Sequence, residues 1–198
     1  MSTSITRLPA AERRQAIVDA AVRVFSTGSY AGATIADIAR AAGVSEPLLY
    51  RHFQSKRELY FACLDEAWSR LRDHLVQAMD ELGPGEAWRQ IGPATMRQFK
   101  VLVPNLWMQA ITEAGEDPGI RRHVRSHMRE VHDFFAEALR RIQSAGVIPA
   151  DRDVDAEAWV FIAGSLLASM NDRLGGLLTE DDFNAIKTQR WRWLSGGG

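Results

Sequence analysis

The chain has 198 residues, 46% of them apolar, with 24 Lys/Arg against 25 Asp/Glu and a single cysteine, Cys63. That apolar fraction excludes a disordered chain, and one cysteine excludes an intramolecular disulfide. No apolar run approaches the ~20 residues that span a bilayer, and the N-terminal "MSTSITRLPAAERR" lacks the apolar stretch of a secretory signal, so a cytoplasmic protein without a membrane partner is expected.

Helical periodicity is almost continuous, and no segment alternates with the period of a strand. Ile17, Ala20, Ala21, Val24 and Phe25 recur at helical spacing and predict a first helix from about Ala10 to Ser26, ended by Gly28. Thr34, with Asp37 three residues on, caps a short second helix that turns Ile35 and Ile38 inward. Gly43 breaks that helix. Ser45 caps a third, very short one, with Pro47 in its first turn, where a missing N–H is harmless. Ser55 and Glu58 form a capping box that opens a fourth helix running to Leu82, about 40 Å at 1.5 Å per residue. Phe61, Leu64, Trp68, Leu71, Leu75 and Leu82 stripe one face of it.

Gly83–Glu86 reads as a break, followed by a helix through Trp88, Ile91, Thr95, Phe99 and Leu102. Pro104 starts a shorter helix through Trp107 and Ile111, and Glu116–Gly119 is the next turn. Ile120, Val124, Met128, Val131, Phe135, Ala138 and Ile142 give a long amphipathic helix, and Ala145–Asp153 a loop. The helix from Asp155 to about Arg173 carries "AWVFIAGSLLASM", apolar on every side, and a last helix runs through Phe183, Ile186, Trp191 and Trp193. About nine helices and no internal repeat make an all-α fold.

The charges are unevenly spread. Residues 1–57 hold eight basic and four acidic groups, leaving sixteen basic and twenty-one acidic in the remainder. A basic head on an acidic body suits a polyanion at one end. In that head two short helices flank Gly43, as in a helix-turn-helix. Ala39, Gly43, Val44 and Leu49 let the helices cross closely. Leu49 and Phe53 face inward, which leaves Glu46, Pro47, Leu48, Tyr50 and Arg51 outside, where a recognition helix meets base edges.

The segment "AIVDAAVRVFSTGSYAGATIADIARAAGVSEPLLYRHFQSKRELY" (Ala16–Tyr60) resembles the DNA-binding domain of the tetracycline-repressor (TetR) family. The likeness covers roughly residues 10–60. It implies an N-terminal three-helix helix-turn-helix domain and a C-terminal helical ligand-binding and dimerisation domain. The division expected is a flexible arm at 1–9, the DNA-binding domain at 10–54, the helical body at 55–194 and a flexible tail at 195–198. The resemblance implies phosphate contacts for Thr34, Tyr50, His52 and Lys56 and a base-edge position for Pro47. Glu46 beside it is a candidate reader of a cytosine amino group, or simply an acidic residue favoured by its helix dipole. Leu48 stands where the family often has a small or hydroxyl residue. Arg51 completes the expected DNA-binding set.

In the body, a helix apolar all round must be buried on both sides. One side can cover its own chain and the other a second copy. Trp159, Ala163, Leu167 and Met170, with Phe183 and Ile186 of the last helix, are therefore the expected homodimer interface. Trp88, Met96, Phe99, Trp107, Met108 and Ile111 are the candidate lining of a small-molecule pocket that the resemblance implies; a plain core is the competing reading. His123 and His127 stand four apart, with Glu130 beyond, but Arg121, Arg122, Arg125 and Arg129 surround them, so packed imidazoles rather than a metal are expected. No G-x-S-x-G, no cysteine–histidine pairing around Cys63 and no phosphate-binding glycine loop points to catalysis. Neither enzyme activity nor a cofactor or metal is expected. The reading is a ligand-responsive transcriptional repressor that binds a palindromic operator in double-stranded DNA as a homodimer and leaves it when a small, largely apolar effector binds. The alternative is an all-helical binding protein or enzyme whose helix-turn-helix is vestigial; the basic head and the Tyr50, His52, Lys56 group oppose it.

Overall fold

The structure, a computed structural model, describes residues 9–90 and 103–197. Among them are nine helices and no strand: α1 (Ala10–Thr27), α2 (Ile35–Ala42), α3 (Glu46–Tyr50), α4 (Lys56–Leu82), α5 (Pro84–Gln90), α6 (Val103–Glu113), α7 (Pro118–Ser144), α8 (Val154–Arg173) and α9 (Glu180–Leu194). The expected helix through Ile91, Thr95, Phe99 and Leu102 lies outside the described residues beyond α5. Of the break foreseen at Gly83–Glu86, only Gly83 remains outside a helix; its φ of 78° is left-handed, and α5 begins at Pro84.

Contacts divide the chain into two compact units, the first comprising residues up to Arg70 with Asn105–Val124, the second Leu71–Pro104 with Arg125–Gly198. The first unit holds α1–α3, the start of α4, most of α6 and the beginning of α7. Its core is Ile17, Ala21, Phe25, Ile38, Leu49, Phe53, Leu59, Tyr60, Leu64 and Leu106, all without appreciable exposure. Phe25, Tyr30 and Tyr60 form a ring cluster with centroids 4.6–6.1 Å apart. The Tyr60 hydroxyl donates to the Leu106 carbonyl at 2.7 Å, and burial raises its pKa. Gln109 donates to the carbonyls of Phe25 and Gly28, both at 3.0 Å, and so closes the C-terminus of α1 from α6. Arg57 pairs with Asp117 at 3.2 Å, and Asp117 also accepts from the N–H groups of Gly119 and Ile120 at the start of α7.

The second unit takes α4 from Leu71, then α5, α7 from Arg125, α8 and α9. Trp88, Phe135 and Phe161 pack ring on ring at 4.6–5.9 Å. Leu75, Ala136, Leu139, Ile142, Ile148, Ala158 and Ile162 complete its core. Asn171 closes the turn between α8 and α9: its carboxamide accepts from the Leu178 N–H at 2.6 Å and donates to the Leu178 carbonyl at 3.2 Å. Leu82, expected on the buried stripe of α4, is 46% exposed, because the stripe reaches the last turn before Gly83 and none of the described residues covers it there. None of the described helices is long and apolar enough to cross a membrane.

Candidate nucleic-acid interface

Each piece of the helix-turn-helix is set by a local rule. Thr34 caps α2 reciprocally: its hydroxyl accepts from the Asp37 N–H at 3.1 Å, and the Asp37 carboxylate accepts from the Thr34 N–H at 3.3 Å. The same carboxylate accepts from the Thr34 hydroxyl at 2.6 Å and pairs with Arg40 at 2.9 Å. The Thr34 bonds, and then Arg40, hold the Asp37 carboxyl below the usual range. At the other end of α2, Gly43 has φ 66° and ψ 31°. The Val44 N–H donates to Ala39 at 3.0 Å and the Gly43 N–H to Arg40 at 3.2 Å, a Schellman turn that a left-handed residue makes possible.

Ser45 then caps α3, its hydroxyl accepting from the Leu48 N–H at 3.4 Å, and Pro47 occupies the first turn. Leu49 and Phe53 are fully buried, which pins five helical residues that could not hold a helix alone. Glu46, Pro47, Tyr50 and Arg51 are exposed, Tyr50 at 49%; Leu48 is half-buried. His52 is also half-buried, and burial first, then Arg13, Arg51 and Arg14, push its pKa down. The capping box that opens α4 is shifted by one residue. Ser55 accepts from the Glu58 N–H at 3.1 Å, but Glu58 accepts from Gln54, not Ser55, at 2.7 Å.

Lys56 has partners that the sequence does not suggest. Its ammonium donates to the carbonyls of Tyr30 at 2.8 Å, Ala33 at 3.0 Å and Ala31 at 3.4 Å, and lies 4.6 Å from the centre of the Tyr30 ring. It therefore clamps the loop between α1 and α2, the loop that delivers Thr34. No sequence signal marks this, because the partners are 23–26 residues away. Arg13 and Arg14, absent from the expected set, act on His52 through their charge, and Arg14 lies against the Phe53 ring; their place in the basic head is their only signal.

The residues expected to line a small-molecule pocket do not share a unit. Trp88 sits in the aromatic cluster of the second, while Trp107, Met108 and Ile111 belong to the first, and Met96 and Phe99 lie outside the described residues. Ile111 is 40% exposed. The expected dimer residues Trp159, Ala163, Leu167, Met170 and Ile186 are exposed in the second unit, whereas Phe183 is buried in its own chain. His123 stacks on Phe61 with centroids 4.0 Å apart and pairs with Asp65 at 3.0 Å; His127 is buried. Cys63 is buried, and burial raises its pKa, so it is an inert thiol.

Residues 17–63 match the family described as "Bacterial regulatory proteins, tetR family", and residues 104–164 match "BetI-type transcriptional repressor, C-terminal". The chain is 31% identical over 181 residues to the HTH-type transcriptional regulator BetI of Rhizobium meliloti, covering 87% of this chain and 88% of that one. It is 30% identical over 169 residues to the HTH-type transcriptional regulator TtgR of Pseudomonas putida, covering 80% and 79%. The crystal structure of a TetR-family transcriptional regulator from Cytophaga hutchinsonii superposes with a TM-score of 0.79 over 96% of this chain and 97% of the other at 17% identity, which shows the shared fold. With a recognition turn built as above and relatives matched over most of their length, the chain belongs to the TetR family of DNA-binding transcriptional regulators, which are not enzymes.

Proposed function

We propose that this regulator is a repressor that binds a palindromic operator as a homodimer and is released by a small, largely apolar effector. The observation that carries the reading is α3, held by Leu49 and Phe53 with Glu46, Pro47 and Tyr50 turned to solvent. Residues at the start of such a helix meet base edges in the major groove. Tyr50, Arg51 and His52 are its phosphate contacts, and Thr34 adds one at the start of α2.

A second copy of the chain is the occupant of the apolar face on α8 and α9. Trp159, Val160, Leu167, Met170 and Ile186 are each 38–46% exposed on that face. A groove of about 560 Å³ runs between the two helices, lined by Val160, Ala163, Leu167, Ile186 and Trp191 among others. Monomers rarely leave that much contiguous apolar surface wet. Two copies would present two α3 helices to successive major grooves, ~34–36 Å apart. α4 is one helix from Lys56 to Leu82 with residues in both units, so it is the covalent route from an effector to α3. An effector needs only to bind one conformation of the dimer better than the other.

Sedimentation equilibrium should return twice the chain mass for the wild type and a monomer for Leu167→Glu, with operator affinity, measured on a site selected from a random-sequence pool, lost in parallel. A monomeric wild type that binds such a site at full affinity would refute the dimeric reading.

A further inference from the structure

The first turn of α1 and the end of α3 are far apart in sequence, yet they meet where Arg14 lies against Phe53, the residue next to His52. Among the described residues, the charges that act on the His52 imidazole are those of Arg13 and Arg14 from α1 and of Arg51 beside it, with no carboxylate among them. Arg14 is anchored there: its guanidinium lies 4.7 Å from the centre of the ring of Phe53, which is fully buried. Several other cations of the same unit are matched. Arg40 has Asp37, Arg57 has Asp117, Arg70 has Asp19 and Glu66, and Lys56 has its three carbonyls. Arg14 and Arg51 are exposed, and neither forms an ion pair with a described carboxylate. Guanidinium groups gathered around an imidazole raise the positive potential there in the free protein. An anion that enters the cluster lowers it.

Geometry says which anion. The five residues of α3 rise about 7.5 Å at 1.5 Å per residue, less than the ~12 Å width of the major groove. With Glu46 and Pro47 at base edges, the other end of α3 reaches the wall of the groove, where the phosphates are. A phosphodiester offers two oxygens that guanidinium groups bind in paired fashion. Resting on the DNA-binding reading above, we propose that Arg13, Arg14, Arg51 and His52 form one site for a backbone phosphate, so that the first turn of α1 belongs to the DNA interface. His52 completes the site as a donor. In the free protein burial, then the three arginines, disfavour its charge. A phosphate in the cluster favours the imidazolium instead. DNA binding then takes up a proton, and affinity rises as pH falls through the titration of the bound His52.

The test uses the full chain and a random-sequence duplex, with affinity read by fluorescence anisotropy over a range of salt concentrations at about pH 6 and pH 8, either side of the ordinary histidine value. Arg13→Gln should flatten the plot of log affinity against log salt by about 0.9 for each subunit, the signature of one lost phosphate contact. Arg13→Lys should keep the slope, and so should Arg141→Gln, a change of an exposed arginine on α7. Should Arg13→Gln fail to fold, Arg51→Gln reads the same site. His52→Gln should abolish the difference between the two pH values. A wild-type chain that binds duplex with a normal salt slope, while Arg13→Gln keeps that slope and His52→Gln keeps the pH dependence, overturns the cluster and leaves the regulator reading intact. A wild-type chain that binds no duplex overturns both.

Discussion

Replacing Lys56 by methionine keeps the length and apolar stem of the side chain and removes its charge. Of its three carbonyl contacts, those to Tyr30 and Ala33, at 2.8 and 3.0 Å, are well formed, and that to Ala31, at 3.4 Å, is long. A hydrogen bond to a charged group contributes about 1.5–3 kcal/mol net. Lys56 is only half-buried, so water can reach part of what it leaves; one full bond at the low end is a fair allowance. The ammonium over Tyr30 adds about 0.5 kcal/mol at such a site. The total is about 2 kcal/mol, or a fall of about 4–8 °C in Tm for a chain of this size. Melting should be followed at fixed protein concentration, because dimerisation shifts Tm. DNA affinity should fall by the same factor on every sequence, since the loop that Lys56 clamps sets the position of α2. The salt slope should not change, because the ammonium is already occupied by carbonyls. A variant that melts like the wild type and loses about 0.9 of slope per subunit would show that Lys56 serves a phosphate and not the loop.

Gly43→Ala forces a Cβ into left-handed backbone at φ 66°, and should destabilise the chain by about 1–2 kcal/mol in urea denaturation; no loss would mean that the turn relaxes freely. Glu46→Gln should move base preference at one symmetric operator position from C towards A, by roughly 1–3 kcal/mol, in selections from a random pool. An identical consensus would reduce Glu46 to a helix-dipole partner. Arg190→Met strips the cation bonded to Glu157, a residue only 6% exposed, and should cost about 3 kcal/mol near pH 7. Burial already raises the Glu157 pKa and Arg190 opposes it, so the folded variant holds its proton to higher pH than the unfolded chain. Stability is therefore lost as pH rises through that window. Thermal melts should show a smaller penalty near pH 5 than near pH 7, and an equal penalty would remove Glu157 from the account.

What could be read in the sequence is what lies within four residues. Thr34 with Asp37, Gly43 with Val44, Ser45 with Leu48, and Ser55 with Glu58 are each complete inside one turn, so residue type and spacing suffice to place α1–α4 and the exposed start of α3. The contacts that turn those helices into an interface are long-range. Lys56 reaches Tyr30, Arg57 reaches Asp117 and Gln109 reaches Phe25, and no periodicity encodes such pairs. The pocket expectation met a different obstacle. Tryptophan and methionine at helical spacing look alike whether they fill a core or line a cavity, and Trp88 does both, buried against Phe135 and Phe161 and bordering the groove beside α8 and α9.

α8 shows the boundary most clearly. Its uniform apolarity announces two buried sides but not which residues take which. Ala158, Ile162 and Ala168 turn to its own chain, and Trp159, Ala163, Leu167 and Met170 turn away, sets that differ by one residue in phase. Only packing decides between them. The same ambiguity in α9 put Phe183 with Ile186 on the outer face, although Phe183 packs inward with Leu194, three turns along. Yet one residue in this region carried a usable signal. A glutamate near the head of a largely apolar helix must find a cation if it is buried, since a lone buried charge costs several kcal/mol. Glu157 is that residue, and α9 is rich in basic groups: Lys187, Arg190 and Arg192. The Glu157–Arg190 pair ties α9 to α8, and with it sets the side of each helix that is left exposed.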